Sequence, residues 1–475
     1  IKLLGEFQNG FRAGRQANDN LFILRNIIER GRISSGGSGG NVALCFVDLR
    51  KAYDTVPREL LWETMEAHGF QGKFLNLLKA LYGNDNICIV VNGIKSEPIY
   101  PERGLKQGCP LSPILFAIYL AELTKALNKT KEGIWMGGII ISALFFADDL
   151  VLIGKTRPAV ERLLGLLIQN LEDLGMEINV KKTEILEVSP ESESPVTIYA
   201  TNGEIIGDIL YSLKYKYLGV DIFVKNRMSI FKLKHEAMIH KAKSMANMIK
   251  SMAARSFDIA WVASELWFKV AIPAILYACE ITEISPTVMT TIEGLHGQMA
   301  AFILGVNGKC SHAGALRELG WCSLTNLMFQ SKLKFFFRLC KMKDSRLAKA
   351  VLNDCYSNTD GNGLPWKVSY KTEMEKIMEI CKITQINKDT EWKNIIPLIQ
   401  KWDFNDIRKR IIEKVPHISL ETPAPLCYTG FSDNVFNTKL LSCLMLHVWS
   451  RFCRIGLSFL FVESSALNGV AILHR

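Results

Sequence analysis

An α+β fold is the class this sequence predicts, and three observations carry it. Short extended runs and helical segments mix without strict alternation up to about residue 222, which argues for a sheet domain with helices packed on it. The tract ICIVVNGIKSEPIY, residues 87–100, sets two extended runs around Asn92-Gly93, a strong hairpin signal. Beyond residue 222 the chain reads as almost wholly helical.

Taken in order, NLFILRNIIER at 20–30 has apolar residues at helical spacing and ends in basic groups, so it reads as a helix. GRISSGGSGGN at 31–41 is a Gly/Ser-rich loop. VALCFVDL at 42–49 is continuous, β-branched and short, the mark of a buried strand. A helix follows from near Pro57 to the stop at Gly69, with Asp54 or Thr55 placed to cap its start. A long helix is expected over 112–127, a second hairpin over 139–154 with Asp148-Asp149 at its turn, and a helix over 157–174 closed by Gly175. EILEV at 184–188 and YLGVDIF at 217–223 supply later strands. Pro and Gly cluster again at 357–366, an expected boundary within the helical tail, and no internal repeat is visible.

Composition narrows the classes. A chain of 475 residues with 48% hydrophobic and 22% charged residues is long enough for two to four compact units, which excludes disorder as the whole answer. The formal net charge of +10, from 57 Lys and Arg against 47 Asp and Glu, suits a polyanionic partner or a plainly basic surface. Twelve cysteines occur without a C-x-x-C pair, so neither a zinc ribbon nor a thioredoxin motif is supported. Cys443, His447 and Cys453 lack a fourth ligand and sit among apolar residues, as buried thiols do. Dispersed thiols fit a reducing compartment. The most apolar tract, 440–473, is broken by Arg451, Arg454 and Glu463, against a membrane span. The first residue is Ile1 rather than Met, so a longer parent reading frame is expected.

The chemistry concentrates in LFFADDLVLIG, residues 144–154. Two adjacent carboxylates inside an apolar run repel one another and resist burial. Alone, such a pair reads as a hairpin turn, because Asp tolerates turn geometry. Asp48, at the exit of the 42–49 strand, supplies a third carboxylate if the two strands are neighbours. Oxygen-only ligands on a rigid sheet suit Mg²⁺, with Mn²⁺ as an alternative, and two such ions would activate a 3′-hydroxyl and stabilise a leaving pyrophosphate.

Five motifs stand in order: VDLRKAYDTV, GLKQGCPLSPILF, FFADDL, GMEINVKKTEIL and YKYLGV. Together they resemble the palm of a reverse transcriptase, nearest to those of LINE-type (non-LTR) retrotransposons. QNGFRAGRQANDNLF at 8–22 resembles the segment before that palm, so the likeness covers about residues 6–222.

The resemblance implies a right-hand polymerase palm and fingers with an antiparallel sheet, then an all-α thumb and a helical C-terminal region. Its divisions would be partial fingers at 1–41, palm at 42–222, thumb at 223–310 and extension at 311–475. The family's Arg-Pro-Ile finger segment would lie before residue 1.

Residue by residue, the resemblance makes Asp48, Asp148 and Asp149 the metal-binding aspartates, with Asp149 the least direct. Tyr53 matches the aromatic that disfavours a 2′-hydroxyl sterically, and Asp54 is kept for a structural cap. Gln107 would contact the incoming nucleotide, while Gly104 and Gly108 let backbone approach it. Lys182 would sit near the leaving pyrophosphate as a proton donor, with Lys181 close enough in sequence to leave that assignment open. Tyr217, Leu218 and Gly219 resemble the turn that grips the primer. Arg12 and Arg15 are offered to phosphate or template, or else lie exposed on a loop.

Residues 225–255 carry eight Lys or Arg (225, 227, 232, 234, 241, 243, 250, 255) against the single acid Glu236. Met238, Ile239, Ala242, Met245, Ala246 and Ile249 form an apolar stripe behind them. By position this is the thumb, with Lys241, Lys243 and Lys250 following nucleic-acid backbone, or else a solvated amphipathic helix. In SKLKFFFRLCKMKDSRLAKA at 331–350, Phe335, Phe336 and Phe337 are offered to bases, but three adjacent residues cannot share one helix face, so at least one or two belong to a core.

The expected partners are an RNA template, a DNA primer and dNTPs, with no membrane, and nuclear action is implied by the resemblance alone. The competing expectations are a decayed copy that binds nucleic acid without catalysis and a maturase-like RNA-binding factor.

Overall fold

The computed structural model describes residues 2–33, 42–187, 194–223, 235–282, 284–306, 310–356 and 369–380. Its first half runs α1 (Ala17–Ile33), β1 (Ala43–Val47), α2 (Ala52–Thr55), α3 (Arg58–Ala67) and α4 (Lys73–Gly83). Then come β2 (Val90–Val91), β3 (Ile94–Lys95), α5 (Ser112–Tyr119), α6 (Ala121–Asn128), β4 (Ile134–Met136) and β5 (Ile139–Ile141). β6 (Ala143–Phe146), β7 (Asp149–Gly154), α7 (Arg157–Asp173), β8 (Glu184–Glu187), β9 (Val196–Tyr199) and β10 (Ile205–Tyr211) follow. The hairpin of β11 (Lys214–Tyr217) and β12 (Val220–Phe223) ends this half. The rest is helical: α8 (His235–Ala253), α9 (Ile259–Leu266), α10 (Ile272–Ile275), α11 (Pro286–Ile303) and α12 (His312–Glu318). It finishes with α13 (Leu324–Lys341), α14 (Leu347–Tyr356) and α15 (Ser369–Ile380).

Six strands form one sheet in the order β6-β7-β1-β8-β10-β9. Every pairing is antiparallel except β8 with β10. Side-chain alternation splits the central strands between two cores. Leu44, Phe46, Val151 and Ile153 point to one, and Cys45, Val47, Leu150 and Leu152 to the other. Both faces are covered, which is why β1 reads as an uninterrupted apolar run.

On one face α7 lays down Leu163, Leu164, Leu167 and Leu171 at helical spacing, joined by residues of α3 to α6. The other face is closed by α1 and, from the far end of the described chain, by α13, α14 and α15. A third core holds α8 to α11 around the fully buried Trp267, and Leu324 and Met328 at the start of α13 join it.

Two expectations meet corrections here. The helix expected over 112–127 is two, broken at Leu120, where the backbone leaves the helical region. Phe335, Phe336 and Phe337 are all buried in one core, where α1, α14 and α15 pack around that part of α13; none is available to stack on bases. The apolar side chains of α13, α14 and α15 complete a face of the sheet that α1 alone does not cover. α1 contributes Leu21, Phe22, Leu24 and Ile28 to the same core.

Buried charge binds these layers. Lys332 in α13, 1% exposed, donates to Glu373 of α15 at 2.7 Å and to the Thr282 carbonyl at 2.9 Å. Arg25 of α1 approaches the same carboxylate at 3.7 Å. The expectations resting on the loop beyond residue 33, on Lys225, Arg227, Lys232 and Lys234, on 357–366, and on Cys443, His447 and Cys453 lie outside the described residues. No described helix is long and apolar enough to cross a membrane.

Candidate active site

Strand register brings the three aspartates together. Val47 pairs with Leu150, so one step further along antiparallel strands Asp48 stands beside Asp149. β6 and β7 pair Phe146 with Asp149, leaving Ala147 and Asp148 as a two-residue turn. Asp149 is therefore the first residue of β7 and not a turn residue, a small correction to the expected hairpin. Ala147 has φ 60°, the pattern of a type II′ turn, whose first central position favours Gly.

Asp148 and Asp149 reach solvent, yet the protein packed beneath them strips part of their hydration. Desolvation, with repulsion from Asp148 and Asp48, pushes the Asp149 carboxyl up to about 6. Asp148 is raised by desolvation and by the Asp48 charge. Among the described residues, no three His, Cys, Asp or Glu side chains are gathered tightly enough to hold a metal ion unaided. The donor set still fits a hard divalent cation: all three groups are carboxylates at one sheet end, and their mutual repulsion marks a place where positive charge is favoured.

Asp48 is the best supported of the three. Asn179 donates Nδ2 to its Oδ2 at 2.9 Å, and Lys182 Nζ lies 3.8 Å from the same oxygen. The backbone N–H of Asp48 reaches Thr183 Oγ1 at 3.3 Å. Lys182 thus belongs to the carboxylate cluster, while its side chain remains 69% exposed. Asn179 was missed because an amide between apolar and basic neighbours carries no catalytic signature.

Tyr53 stacks on Phe116 with ring centroids 4.8 Å apart. Its hydroxyl is buried without a hydrogen-bond partner, and burial followed by the Asp148 charge raises its pKa. The Tyr53 carbonyl accepts from Leu105 N–H at 2.8 Å and the Val56 carbonyl from Gly104 N–H at 2.8 Å, which ties the 104–108 loop to the Tyr53 segment. Gly104 has φ 89°, and a Cβ there would fall 2.9 Å from the Asp54 carbonyl oxygen.

The cap expected of Asp54 is absent. Asp54 lies inside α2, and its carboxylate accepts from Gln107 Nε2 at 2.8 Å instead. That bond holds Gln107 at the surface beside Gly108, which is exposed at φ 81°. α3 starts at Pro57 without any side-chain cap.

Leu218 and Gly219 form the β11–β12 turn with φ 45° and 80°. Tyr277 donates its hydroxyl to the Leu218 carbonyl at 2.8 Å, anchoring the turn to the helical region. The Tyr217 side chain is 2% exposed and takes a hydrogen bond from Asn20 at 3.2 Å. Its ring packs on Phe46 with centroids 5.4 Å apart, so the side chain supports the turn from inside and is not on its surface.

The two arginines offered to phosphate are also committed internally. Arg15 pairs with Glu6 at 2.6 Å and donates to Asn9 at 2.7 Å, with a side chain only 6% exposed. Arg12 donates to the Gly5 and Gln8 carbonyls, and desolvation first, then Arg15, lowers it to about 10. On α8 the apolar stripe packs into the third core, with Met238, Ala242, Ala246 and Ile249 buried and Ile239 and Met245 half-buried, and Lys241 and Lys243 are exposed. Lys241 also donates to the Ala274 carbonyl at 2.8 Å, and Lys250 lies 5.7 Å from the centre of the Phe302 ring.

Comparison with known proteins places this geometry. Residues 1–222 match the family model described as reverse transcriptase (RNA-dependent DNA polymerase). The chain is 30% identical over 229 residues to the Pol polyprotein of the type-2 retrotransposable element R2DM of Drosophila melanogaster, covering 46% of this chain and 21% of that one. It is 28% identical over 227 residues to the R2 polyprotein of Nasonia vitripennis, again 46% and 21%. The RNA-directed DNA polymerase of the mobile element jockey from Drosophila funebris is 23% identical over 315 residues, 64% of this chain and 32% of that one. The chain thus spans only about a fifth to a third of the length of these relatives. Among solved structures, telomerase from Candida tropicalis with a fragment of telomeric RNA matches at 12% identity and TM-score 0.36, covering 80% of this chain and 52% of that one. Residues 1–222 are a reverse transcriptase domain of the kind carried by non-LTR retrotransposons.

Proposed function

We propose that the chain is an RNA-directed DNA polymerase that extends a DNA primer on an RNA template. The observation that carries this is the convergence of Asp48, Asp148 and Asp149 at one end of the sheet through the β1–β7 register. The domain's family relies on a divalent metal; here the reading is Mg²⁺ held by those three carboxylates. When bound, the cation would favour the ionised 3′-hydroxyl of the primer and offset charge on the leaving pyrophosphate.

The chain's own groups supply the rest. Asn179 fixes the Asp48 carboxylate and leaves its other oxygen for a ligand. Lys182, next to Asp48, brings a mobile ammonium to the side where pyrophosphate would depart. Gln107, steadied by Asp54, presents its remaining amide capacity toward an incoming nucleotide. The Tyr53 ring, backed by Phe116, forms a rigid wall against a 2′-hydroxyl. Lys241 and Lys243, exposed on α8, would follow the template–primer backbone, with the Leu218–Gly219 turn against the primer. The divisions at 42–222 for palm and 223–310 for thumb are kept as part of this reading, and so is action in the nucleus.

The test is primer extension by the purified chain with an RNA template, a DNA primer, dNTPs and Mg²⁺. Extension that stops on chelation supports the reading, and template binding with no extension would favour a decayed copy. Tyr53→Ala should cut discrimination between dNTPs and rNTPs by about tenfold or more, since one lost steric contact is worth about 1–3 kcal/mol. Incorporation of both nucleotide types would be compared by kcat/KM, and unchanged discrimination rejects the wall.

A further inference from the structure

The Ala147–Asp148 turn is shaped from outside by the segment before α1. Phe7 accepts at its carbonyl from Phe145 N–H at 2.9 Å, and Asn9 N–H donates to the Phe145 carbonyl at 3.0 Å. Residues 7–9 thus run beside β6 and cover what would be a free sheet edge. Within this strip Gln8 is 1% exposed, and its amide makes three hydrogen bonds. Oε1 accepts from Ala147 N–H at 2.9 Å and from Gly10 N–H at 2.8 Å. Nε2 donates to the Ala147 carbonyl at 3.2 Å.

One side chain therefore grips both backbone polar groups of the residue preceding Asp148. That residue is an alanine in left-handed conformation, φ 60°, where a Cβ is disfavoured and the backbone needs outside support. Gly10 closes the other side. A Cβ on it would fall 2.2 Å from Ala147 N, so the strip and the turn are in direct backbone contact.

We propose that Gln8 is a positioning residue for Asp148, acting through the backbone of Ala147 to hold the carboxylate where the polymerase reaction needs it. This rests on the reading of Asp148 as a metal-binding carboxylate. No shorter or singly functional side chain reproduces the grip. Ala leaves two buried N–H groups and one carbonyl without partners, and an ionised Glu sets a carboxylate oxygen against the Ala147 carbonyl.

The experiment uses the whole chain and three variants: Gln8→Ala, Ala147→Gly, and the two combined. Primer extension is followed with kcat and KM for dNTP separated, together with amide hydrogen exchange over residues 144–150. For Gln8→Ala we expect kcat to fall tenfold to a hundredfold, KM for dNTP to stay within threefold, and template–primer binding to stay within twofold. Faster exchange should be confined to the turn. Because Gly is at ease at positive φ, the combined variant should recover at least a third of the lost kcat.

Unchanged kcat, or a loss that tracks weaker binding and global melting and is not relieved by Ala147→Gly, overturns the proposal. A wild-type chain that extends no primer would instead sink the polymerase reading. Exchange over 144–150 would then still decide the grip: acceleration in Gln8→Ala upholds it and no change refutes it.

Discussion

Asp148→Ala is expected to reduce kcat/KM for primer extension by at least about a thousandfold, equivalent to roughly 4 kcal/mol of lost transition-state stabilisation. On the proposed reading the substitution removes one of three carboxylate donors for a divalent cation, and so weakens the positive charge that would offset the departing pyrophosphate. Its carboxylate reaches solvent and repels its neighbours, so the folded state loses nothing by its removal. Melting temperature should hold or rise slightly. Steady-state extension and thermal melting on the same preparation separate the two effects. Extension surviving at more than a tenth of the original rate would mean that Asp148 is not at the reaction centre.

Glu373→Ala should have the largest effect on stability, a loss of about 2–4 kcal/mol, because breaking a buried ion pair strands the remaining charge. Lys332 is almost wholly buried and would lose its carboxylate, keeping the Thr282 carbonyl. Arg25 loses a 3.7 Å neighbour at the same stroke. Because Glu373 is itself 20% exposed, water relieves part of the penalty, hence the lower end of that range. Urea unfolding measures it. A change below about 0.5 kcal/mol, the scale of an ordinary surface substitution, would mean that α15 is not docked on the sheet.

The catalytic half was legible because its signals are local. β1 is a short apolar run that stops just before Asp48, the Asp148-Asp149 pair interrupts a hairpin, and Asn92-Gly93 sits where two positive φ values are required. The five ordered motifs then tied those pieces together. What stayed hidden was every role set by distant contact. Gln8 and Asn179 are single amides whose partners lie 139 and 131 residues away.

Asp54 was given a cap because an acid before a helix usually caps it, but the side chain of Gln107 competes successfully for that carboxylate. The spacing of the three phenylalanines of α13 asks for at least one or two in a core; all three are buried in one core because helices distant in sequence surround that part of α13. Arg15 read as exposed on a loop because nothing in sequence shows Glu6 and Asn9 folding back over it.

The placement of α13, α14 and α15 bears on where this protein could be cut. The span bearing the family likeness ends at residue 222, yet Leu44, Phe46, Val151 and Ile153 are sealed by residues more than a hundred positions later. Autonomy of folding and the limits of kinship therefore do not coincide: a chain stopped after β12 keeps all three carboxylates and bares the greasy underside of the sheet that carries them.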